Sequence, residues 1–126
     1  MAKFLSPEWI QLYQEKWNSD ADLVHDLRKM TTTMKYYIEG EDQEPVFIRL
    51  EKGKAVESGV ADKGKYDYVM WATRAHWKEL ASGSIGPKRA MAMRKLKFKG
   101  SMITAMRHLG PFGRSLAMMS EVETEW

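Results

Sequence analysis

The sequence predicts an α+β domain built around one mostly antiparallel sheet. Apolar stripes at helical spacing lie at both ends and in the middle of the chain, and segments that alternate between apolar and polar residues lie between them. The chain has 126 residues, of which 44% are hydrophobic, so its size suits one domain with a buried core. Together these observations favour helices packed against a sheet.

Two helices are predicted near the N-terminal end. Ser6 followed by Pro7 is typical of a helix start, because serine caps the first turn and proline fits the first helical position. The apolar stripe of this helix consists of Trp9, Leu12, Tyr13 and Trp17. A second cap signal, Ser19-Asp20, predicts a short helix whose apolar side is formed by Leu23, Val24 and Leu27.

Four strands are predicted in the next part of the chain. Residues 34–38 and 46–50 alternate clearly, and the polar turn GEDQEP separates them. A weaker third strand covers residues 55–60, and the segment KYDYVMWA forms a fourth. Their short connections predict an antiparallel meander. We expect the fourth strand to be central, because apolar residues on both of its faces indicate that both faces are covered.

Short helices follow the fourth strand. Thr73 caps a helix over residues 74–82 that Gly83 ends, and Pro87 begins another short helix. The side chains expected to face inward from these two helices are Trp77, Leu80, Ala81, Ala90, Met91 and Met93.

A fifth strand and a last helix complete the prediction. The strand directs Leu96 and Phe98 towards the core and its lysines towards solvent. The last helix is amphipathic and is interrupted at Gly110-Pro111 and Gly113. Its apolar residues are Met102, Ile103, Met106 and Leu109.

Positive charge is concentrated in the C-terminal third of the chain. The net charge is only +3, yet residues 80–120 contain basic residues and no Asp or Glu. This asymmetry suggests an anionic partner such as a phosphate, a lipid headgroup or a nucleic acid. In the fifth strand the only aromatic residue, Phe98, lies opposite the lysines, which disfavours a base-stacking platform. We therefore expect no nucleic acid partner, although a nucleic-acid-binding module stays an alternative.

Residue types that carry catalysis or bind metals are sparse. The chain has no cysteine, which excludes disulfides and thiolate metal sites. His25, His76 and His108 are widely separated, and none has a metal-ligand spacing. We predict no catalytic residue, no metal and no cofactor, and hence not an enzyme. No apolar run is long enough to span a bilayer, and the N-terminal segment does not resemble a signal peptide, so we expect a cytoplasmic protein.

Methionine is unusually frequent in the last third of the chain. The sequence contains ten methionines, and those in the last third are Met91, Met93, Met102, Met106, Met118 and Met119. Methionine fills irregular space in a core, but unbranched, polarizable side chains also suit a cavity that adapts to long apolar ligands. Both interpretations stay open from composition alone.

The segment LASGSIGPKRAMAMRKLKFKGSMITAM resembles the signature region of the sterol carrier protein-2 (SCP-2) sterol-transfer family. The matching residues are Leu80 and Gly83, Pro87 and Ala90, Lys95-Leu96-Lys97 and Gly100, and Met102, Ala105 and Met106. The strand that carries Asp67 also resembles the family's aspartate-bearing strand. Arg94 stands where the family often has glycine, so we expect a different backbone shape at the start of the strand. The C-terminal residues TEW do not resemble a peroxisomal address.

The resemblance implies a five-stranded, mostly antiparallel sheet covered on one face by helices, with an apolar tunnel between them. It implies one lipid-binding domain over residues 1–126, with terminal tails at about 1–5 and 121–126. The function implied is non-enzymatic binding and transfer of a fatty acid, a fatty acyl-CoA, a sterol or another long apolar ligand. An alternative is an accessory module that presents a lipid substrate to a partner enzyme, for example in quinone or lipid metabolism.

Two sets of site residues follow from this interpretation. The apolar lining is predicted to consist of Trp71, Trp77, Leu80, Met91, Met93, Phe98, Met102, Met106, Phe112 and Met119. The rim that attracts an anionic headgroup is predicted to consist of Lys88, Arg89, Arg107 and Arg114. The expected partners are a long-chain lipid or acyl-CoA and, transiently, an anionic membrane. A homodimer is a further alternative, since exposed apolar helix surface could seal a dimer as well as a tunnel.

Overall fold

The computed structural model describes residues 1–126 and contains six α-helices, seven strands and one 3₁₀ turn. The helices are α1 (Pro7–Ser19), α2 (Ala21–Asp26), α3 (Arg74–Ser82), α4 (Pro87–Ala92), α5 (Met102–Arg107) and α6 (Leu109–Ala117), and the 3₁₀ turn spans Met118–Glu121. The strands are β1 (Ala2–Lys3), β2 (Thr32–Ile38), β3 (Val46–Glu51), β4 (Lys54–Val60), β5 (Tyr68–Ala72), β6 (Lys97–Lys99) and β7 (Thr124–Glu125). The α+β prediction is confirmed.

The main sheet has five strands in the order β4-β3-β2-β5-β6. β2, β3 and β4 form the predicted antiparallel meander, but β5 pairs in parallel with β2, and β6 is antiparallel to β5. The prediction was therefore wrong for the fourth strand, which crosses to the far side of β2 and leaves β2 in the centre. Asp67 helps to hold this crossover, because its Oδ2 accepts hydrogen bonds of 3.0 Å from the Thr32 hydroxyl and from the Thr33 N–H.

The two faces of the sheet differ in burial. The inner face carries buried side chains on alternating positions, among them Met34, Tyr36, Ile38, Val46, Ile48, Leu50, Tyr68, Met70 and Ala72. On the outer face Tyr37 and Trp71 stack with a centroid separation of 5.5 Å, and both stay half-buried. The prediction that both faces of the fourth strand are covered was therefore wrong, because its apolar outer positions, Val69 and Trp71, are only half-buried.

The predicted helix caps are confirmed. The side-chain oxygens of Ser6, Asp20 and Thr73 each accept a backbone hydrogen bond of 3.1 to 3.2 Å from the residue three positions later. Gly83 ends α3 in the left-handed conformation at φ 76°. Leu12 is 36% exposed, contrary to its predicted place in the stripe of α1. Ile10 is buried instead, because at about 100° per residue it lies only about 20° beyond the arc of Trp9, Tyr13 and Trp17, whereas Leu12 lies about 60° beyond the other edge of that arc.

Three aromatic residues of α1 form the centre of the core. Trp9, Tyr13 and Trp17 are almost completely buried. Their polar atoms are all bonded: Trp9 Nε1 donates to Thr124 Oγ1 at 2.8 Å, Tyr13 Oη to the Ser115 carbonyl at 2.6 Å, and Trp17 Nε1 to the Gly53 carbonyl at 2.9 Å. Burial raises the pKa of the Tyr13 hydroxyl well above its usual value, so this hydroxyl stays a neutral donor.

The two ends of the chain pair with each other. β1 and β7 form a two-stranded parallel sheet, and the Phe4 ring stacks on Trp126 at 4.3 Å. Leu5 is buried and adopts φ 55°, which is unusual for a residue with a Cβ. The segments that the sequence analysis assigned to terminal tails are therefore ordered, and Phe4, Leu5 and Val122 belong to the core.

The last helical region is divided earlier than the sequence predicted. The break lies at His108, and α6 then continues through Gly110, Pro111 and Gly113. Pro111 does not interrupt α6, because it lies in the first turn, where backbone N–H groups have no helical partner. None of the helices has the length and apolar composition needed to cross a membrane.

Candidate ligand cavity

A small apolar cavity lies between the inner face of the sheet and helices α5 and α6. It is lined by Trp17, Leu27, Met30, Met34, Tyr68, Met70, Phe98, Ala105, His108, Phe112 and Ser115. Nine of these eleven residues are hydrophobic. Its volume is about 20 Å³ for the centre of a water-sized sphere, which is room for about one water molecule.

The polar part of the cavity lining comes from the helical side, from the junction between α5 and α6 and from the second half of α6. His108 and Ser115 are the polar residues of the lining. The Ser115 hydroxyl donates to the Phe112 carbonyl at 2.6 Å, and the Ser115 carbonyl accepts from Tyr13 Oη. The lone pairs of the Ser115 hydroxyl and the half-buried His108 imidazole are therefore the polar groups that a ligand in this cavity could contact.

Helix α5 is a thin wall between the cavity and solvent. Of its six residues only Ala105 is buried. Met102 and Met106, which were predicted to line a tunnel, do not line this cavity and are 49% and 43% exposed, and Ile103 is 75% exposed. A helix turned so that its smallest residue faces the cavity buries little apolar surface, so its attachment is weak.

A second apolar concavity lies outside, along the β6 edge of the sheet. This groove is lined by Trp71, Met91, Arg94, Leu96, Lys97, Phe98 and Met102. Phe98 lines both the groove and the inner cavity. Its ring lies 5.5 Å from the Tyr68 ring and 6.2 Å from the Phe112 ring, measured between centroids. Phe98 is therefore a partition between the outer groove and the inner cavity.

The residues predicted to line a tunnel lie in three different environments. Phe98 and Phe112 line the cavity. Trp77, Leu80 and Met119 are buried elsewhere in the core, and Trp77 Nε1 donates to the Tyr37 carbonyl at 3.0 Å. The remaining predicted residues lie in the outer groove or on the surface, and these are Trp71, Met91, Met93, Met102 and Met106. Met93 is 51% exposed, so its predicted inward orientation was wrong.

The four predicted rim cations do not form one cluster. Lys88 and Arg89 line a shallow groove between α4 and α6, and Arg107 is exposed on α5. Arg114 makes a two-pronged ion pair with Asp20, with both N–O distances at 2.8 Å. Arg114 is therefore engaged at the start of α2, and the three other cations stay available to a ligand or surface.

Arg94 adopts the left-handed conformation, with φ 58°. The glycine that is common here in the SCP-2 family led us to expect a different backbone shape for arginine. A positive φ is a conformation that glycine adopts easily, so the backbone at Arg94 is one that suits glycine. Arg94 therefore adopts a backbone conformation that favours glycine, and its charged side chain is exposed at this turn.

Most of the cavity lining was missed by sequence reasoning. Met34, Tyr68 and Met70 belong to the inner face of β2 and β5, and alternation did identify that face. What the sequence did not reveal is that β2 and β5 are neighbours, because their parallel pairing joins residues more than thirty positions apart, Met34 with Tyr68 and Tyr36 with Met70. Ala105 gave no signal, since alanine fits both surfaces and cores.

No group of three or more His, Asp or Glu side chains is placed to hold a metal ion.

The geometry defines a small α+β domain with an apolar cavity under two short helices. The sequence matches the SCP-2 sterol transfer family over residues 10–111, and the chain belongs to this family.

Solved structures share the fold at low sequence identity. A crystal structure of sterol carrier protein 2 matches with a TM-score of 0.83 and 19% identity over 96% of this chain and 100% of the other. The solution structure of a conserved hypothetical protein from Thermus thermophilus, described as possibly a sterol carrier protein, matches with a TM-score of 0.72 and 18% identity over 99% and 93%. A ubiquinone synthesis protein, UbiJ-SCP2, matches with a TM-score of 0.62 and 10% identity over 88% and 87%. No curated protein matches the sequence.

Proposed function

We propose that this protein binds a long apolar lipid between its sheet and helices α5 and α6, and carries it without chemical change. The observation that carries the proposal is the cavity itself, whose lining consists of nine apolar residues and two polar ones, His108 and Ser115. Membership of the SCP-2 sterol transfer family supports the same function. The ligand classes we propose are a fatty acid, a fatty acyl-CoA or a sterol, and the compartment is the cytoplasm.

Apolar burial supplies enough free energy for such binding. At about 0.8 kcal/mol per buried CH₂, a sixteen-carbon chain gains roughly 12 kcal/mol before costs. Lost motion and ordering remove several kcal/mol, which leaves an affinity of roughly micromolar to nanomolar. A ligand carboxylate or hydroxyl that reaches His108 or the Ser115 hydroxyl would keep hydrogen bonds that an apolar site alone cannot provide.

The cavity must widen to take such a ligand. Its volume of about 20 Å³ is far below the roughly 300–1,000 Å³ of ligand pockets in general. Helix α5 is the element that can move outward at least cost, because Ala105 is its only buried residue and its larger side chains are already 43% to 75% exposed. Methionine side chains on the sheet, Met34 and Met70, can adjust their rotamers to the ligand.

The test is to fill the cavity and measure lipid binding. Ala105→Phe fills it from the helix side and Met34→Phe from the sheet side, while Ala75→Phe adds the same ring at an exposed position of α3. We expect each cavity variant to weaken binding of a fluorescent fatty acid at least about tenfold, and the control to bind as the unchanged protein does. Far-ultraviolet circular dichroism establishes that all variants are folded.

Mass spectrometry of the gently purified protein provides the second measurement. A stoichiometric lipid that is lost in both cavity variants supports the proposal. The proposal fails if the unchanged protein carries no lipid and binds no fatty acid, or if filling the cavity from either side leaves binding unaltered.

A second function is supported by the similarity to UbiJ-SCP2, whose name describes a ubiquinone synthesis protein. In this alternative the chain presents its bound lipid to a partner enzyme instead of transferring it between membranes. Purification of the full chain from its own cells distinguishes the two. An enzyme that co-purifies and is released by Ala105→Phe supports presentation, whereas lipid exchange between vesicles with purified protein alone supports transfer.

A further inference from the structure

Exposed apolar side chains are concentrated next to the cavity wall. Half of the large apolar residues that are exposed lie within fourteen positions of the chain, namely Met93, Met102, Ile103 and Met106. On α5, Ile103 and Met106 are three positions apart and Met102 and Met106 are four apart, so these three share the outward side of the helix. Such a cluster on an otherwise polar surface indicates an interaction site.

Unpaired positive charges lie in the same part of the chain, and one of them, Arg94, lines the outer groove together with Met102. Lys95 and Lys97 form ion pairs with Glu79 and Glu39, and Arg114 pairs with Asp20. The other basic residues between positions 80 and 120 are exposed and make no ion pair, and these are Lys88, Arg89, Arg94, Lys99 and Arg107. No acidic residue occurs in that part of the chain.

Besides Glu39 and Glu79, which are paired with Lys97 and Lys95, Asp67 comes near α5 from another element. It shares a shallow groove with Ser101 and Thr104 at the start of α5. Its Oδ2 is already occupied by hydrogen bonds from Thr32 and Thr33. The surface around α5 is therefore net positive, even with this carboxylate included.

We propose that this surface, formed by Met93, Met102, Ile103 and Met106 with the five unpaired cations, docks on an anionic lipid bilayer. We call it the α5 face. Apolar side chains at the centre enter the boundary between headgroups and acyl chains, and the surrounding lysines and arginines contact anionic headgroups. The inference goes beyond lipid binding in the cavity, because it assigns a separate surface and a partner.

The chemistry of the α5 face favours a bilayer over other partners. Nucleic acid binding would use exposed aromatic side chains for stacking, and none of the exposed large apolar residues is aromatic. A symmetric contact between two copies would place the same five cations of each copy against each other, and like charges repel across an interface. An anionic bilayer offers an apolar region to the methionine and isoleucine side chains and negative headgroups to the cations.

The longest helix does not offer such a face. α1 directs Trp9, Tyr13 and Trp17 into the core, and its exposed side carries polar residues that include Glu8 and Glu15. An acidic, polar helix surface is repelled by anionic lipids. The docking surface is therefore the one over the cavity, and Ala105, on the cavity side of the same helix, lies about 160° around the helix axis from Ile103.

Sedimentation with vesicles tests the α5 face. The probes are phosphatidylcholine vesicles with and without about one quarter phosphatidylserine, whose negative surface potential attracts basic segments. We expect binding only to the anionic vesicles and a marked decrease as salt rises. Ile103→Asp should weaken binding at least about tenfold, because it places a charge at the centre of the apolar cluster.

Matched variants separate the α5 face from general effects of charge. Lys99→Ala and Arg107→Ala should each weaken vesicle binding about fivefold, since one cation near an anionic surface contributes about that factor. Val60→Asp and Lys54→Ala make the same changes on β4, the opposite edge strand of the sheet, and should bind as the unchanged protein does. Ile103→Ser provides a neutral variant in case the aspartate disturbs α5.

The outcomes distinguish this proposal from lipid binding in the cavity. The proposal is supported if Ile103→Asp loses vesicle binding but still binds the fluorescent fatty acid. It is overturned if the β4 and α5 variants bind vesicles alike, if no vesicle binding occurs at low salt, or if the α5 variants abolish binding to RNA or self-association in sedimentation equilibrium instead.

Discussion

Helices α1 and α5 face the same cavity from two sides, yet they are built in opposite ways. α1 contributes Trp17 to the lining and is fixed by large aromatic residues whose polar atoms bond to Thr124, Ser115 and Gly53. α5 contributes only Ala105 and exposes its larger side chains. Rigid aromatic residues with bonded polar atoms define one wall, and a loosely attached methionine-rich helix forms the other. A cavity with one fixed and one movable wall can open without disturbing the rest of the core.

The largest expected difference is in the cost of removing one side chain from each helix. Trp9→Ala should lower the free energy of unfolding by about 3–5 kcal/mol, because it leaves a large cavity and removes the hydrogen bond to the Thr124 hydroxyl. Met102→Ala on α5 should cost less than about 0.5 kcal/mol, since this side chain is half exposed. Urea unfolding followed by circular dichroism measures both. Equal losses would contradict the contrast between the two walls.

Substitutions of two glycines should also differ in their effect on the free energy of unfolding, by a smaller amount. One glycine is tightly packed and the other has open space around it. Gly53 has φ 82°, and a Cβ there would collide with the backbone carbonyl groups of Val24 and Leu27, so Gly53→Ala should cost roughly 2–3 kcal/mol. Gly110 in α6 has nothing within 4 Å of such a Cβ, so Gly110→Ala should gain about 0.4–1 kcal/mol. Thermal unfolding of the two variants tests this. A gain in stability from Gly53→Ala would show that the backbone around Gly53, Val24 and Leu27 is not tightly packed.

The smallest expected effect is a pH dependence of the contact between α2 and α6. Partial burial raises the pKa of Asp20, but hydrogen bonds from Arg114 and the Leu23 N–H outweigh it and hold the pKa below its usual 3.8. The stabilisation is therefore complete above about pH 4 and is lost as pH falls through the lowered pKa. Asp20→Asn keeps the helix cap and removes the charge.

Thermal unfolding at pH 6 and pH 3 measures this contact. At pH 6 the unchanged protein should unfold at a slightly higher temperature than Asp20→Asn, and at pH 3 the difference should shrink. If the difference in unfolding temperature is the same at both pH values, the Asp20–Arg114 ion pair does not stabilise the contact between α2 and α6.

Local features were well predicted from the sequence, because their physical causes are local. The caps at Ser6, Asp20 and Thr73 and the end of α3 at Gly83 depend on residues within one turn. The alternation of β2 and β3 likewise identified their buried faces. The parallel pairing of β5 with β2 depends on contacts such as Asp67 with Thr33, which are far apart in the chain and leave no periodic signal.

The methionines show where composition alone misleads. A methionine on a short helix can face either side at little cost, so its burial depends on how the helix is turned. In α5 the small Ala105 fits the space above the sheet, and this turns Met102 and Met106 outward. Arg94 teaches a related point, because its positive φ follows from the turn that precedes β6 and not from the residue's own preference.

The pairing of β1 with β7 has a consequence for how the chain folds during synthesis. Trp9 and Tyr13 are made early, but their hydrogen-bond partners Thr124 and Ser115 emerge more than one hundred residues later. Until then the aromatic side of α1 lacks part of its cover and is open to wrong contacts and to chaperones. Such long-range closure slows folding. We therefore expect no N-terminal fragment of this domain to reach the native core of α1, and the domain to be completed in one late, cooperative step.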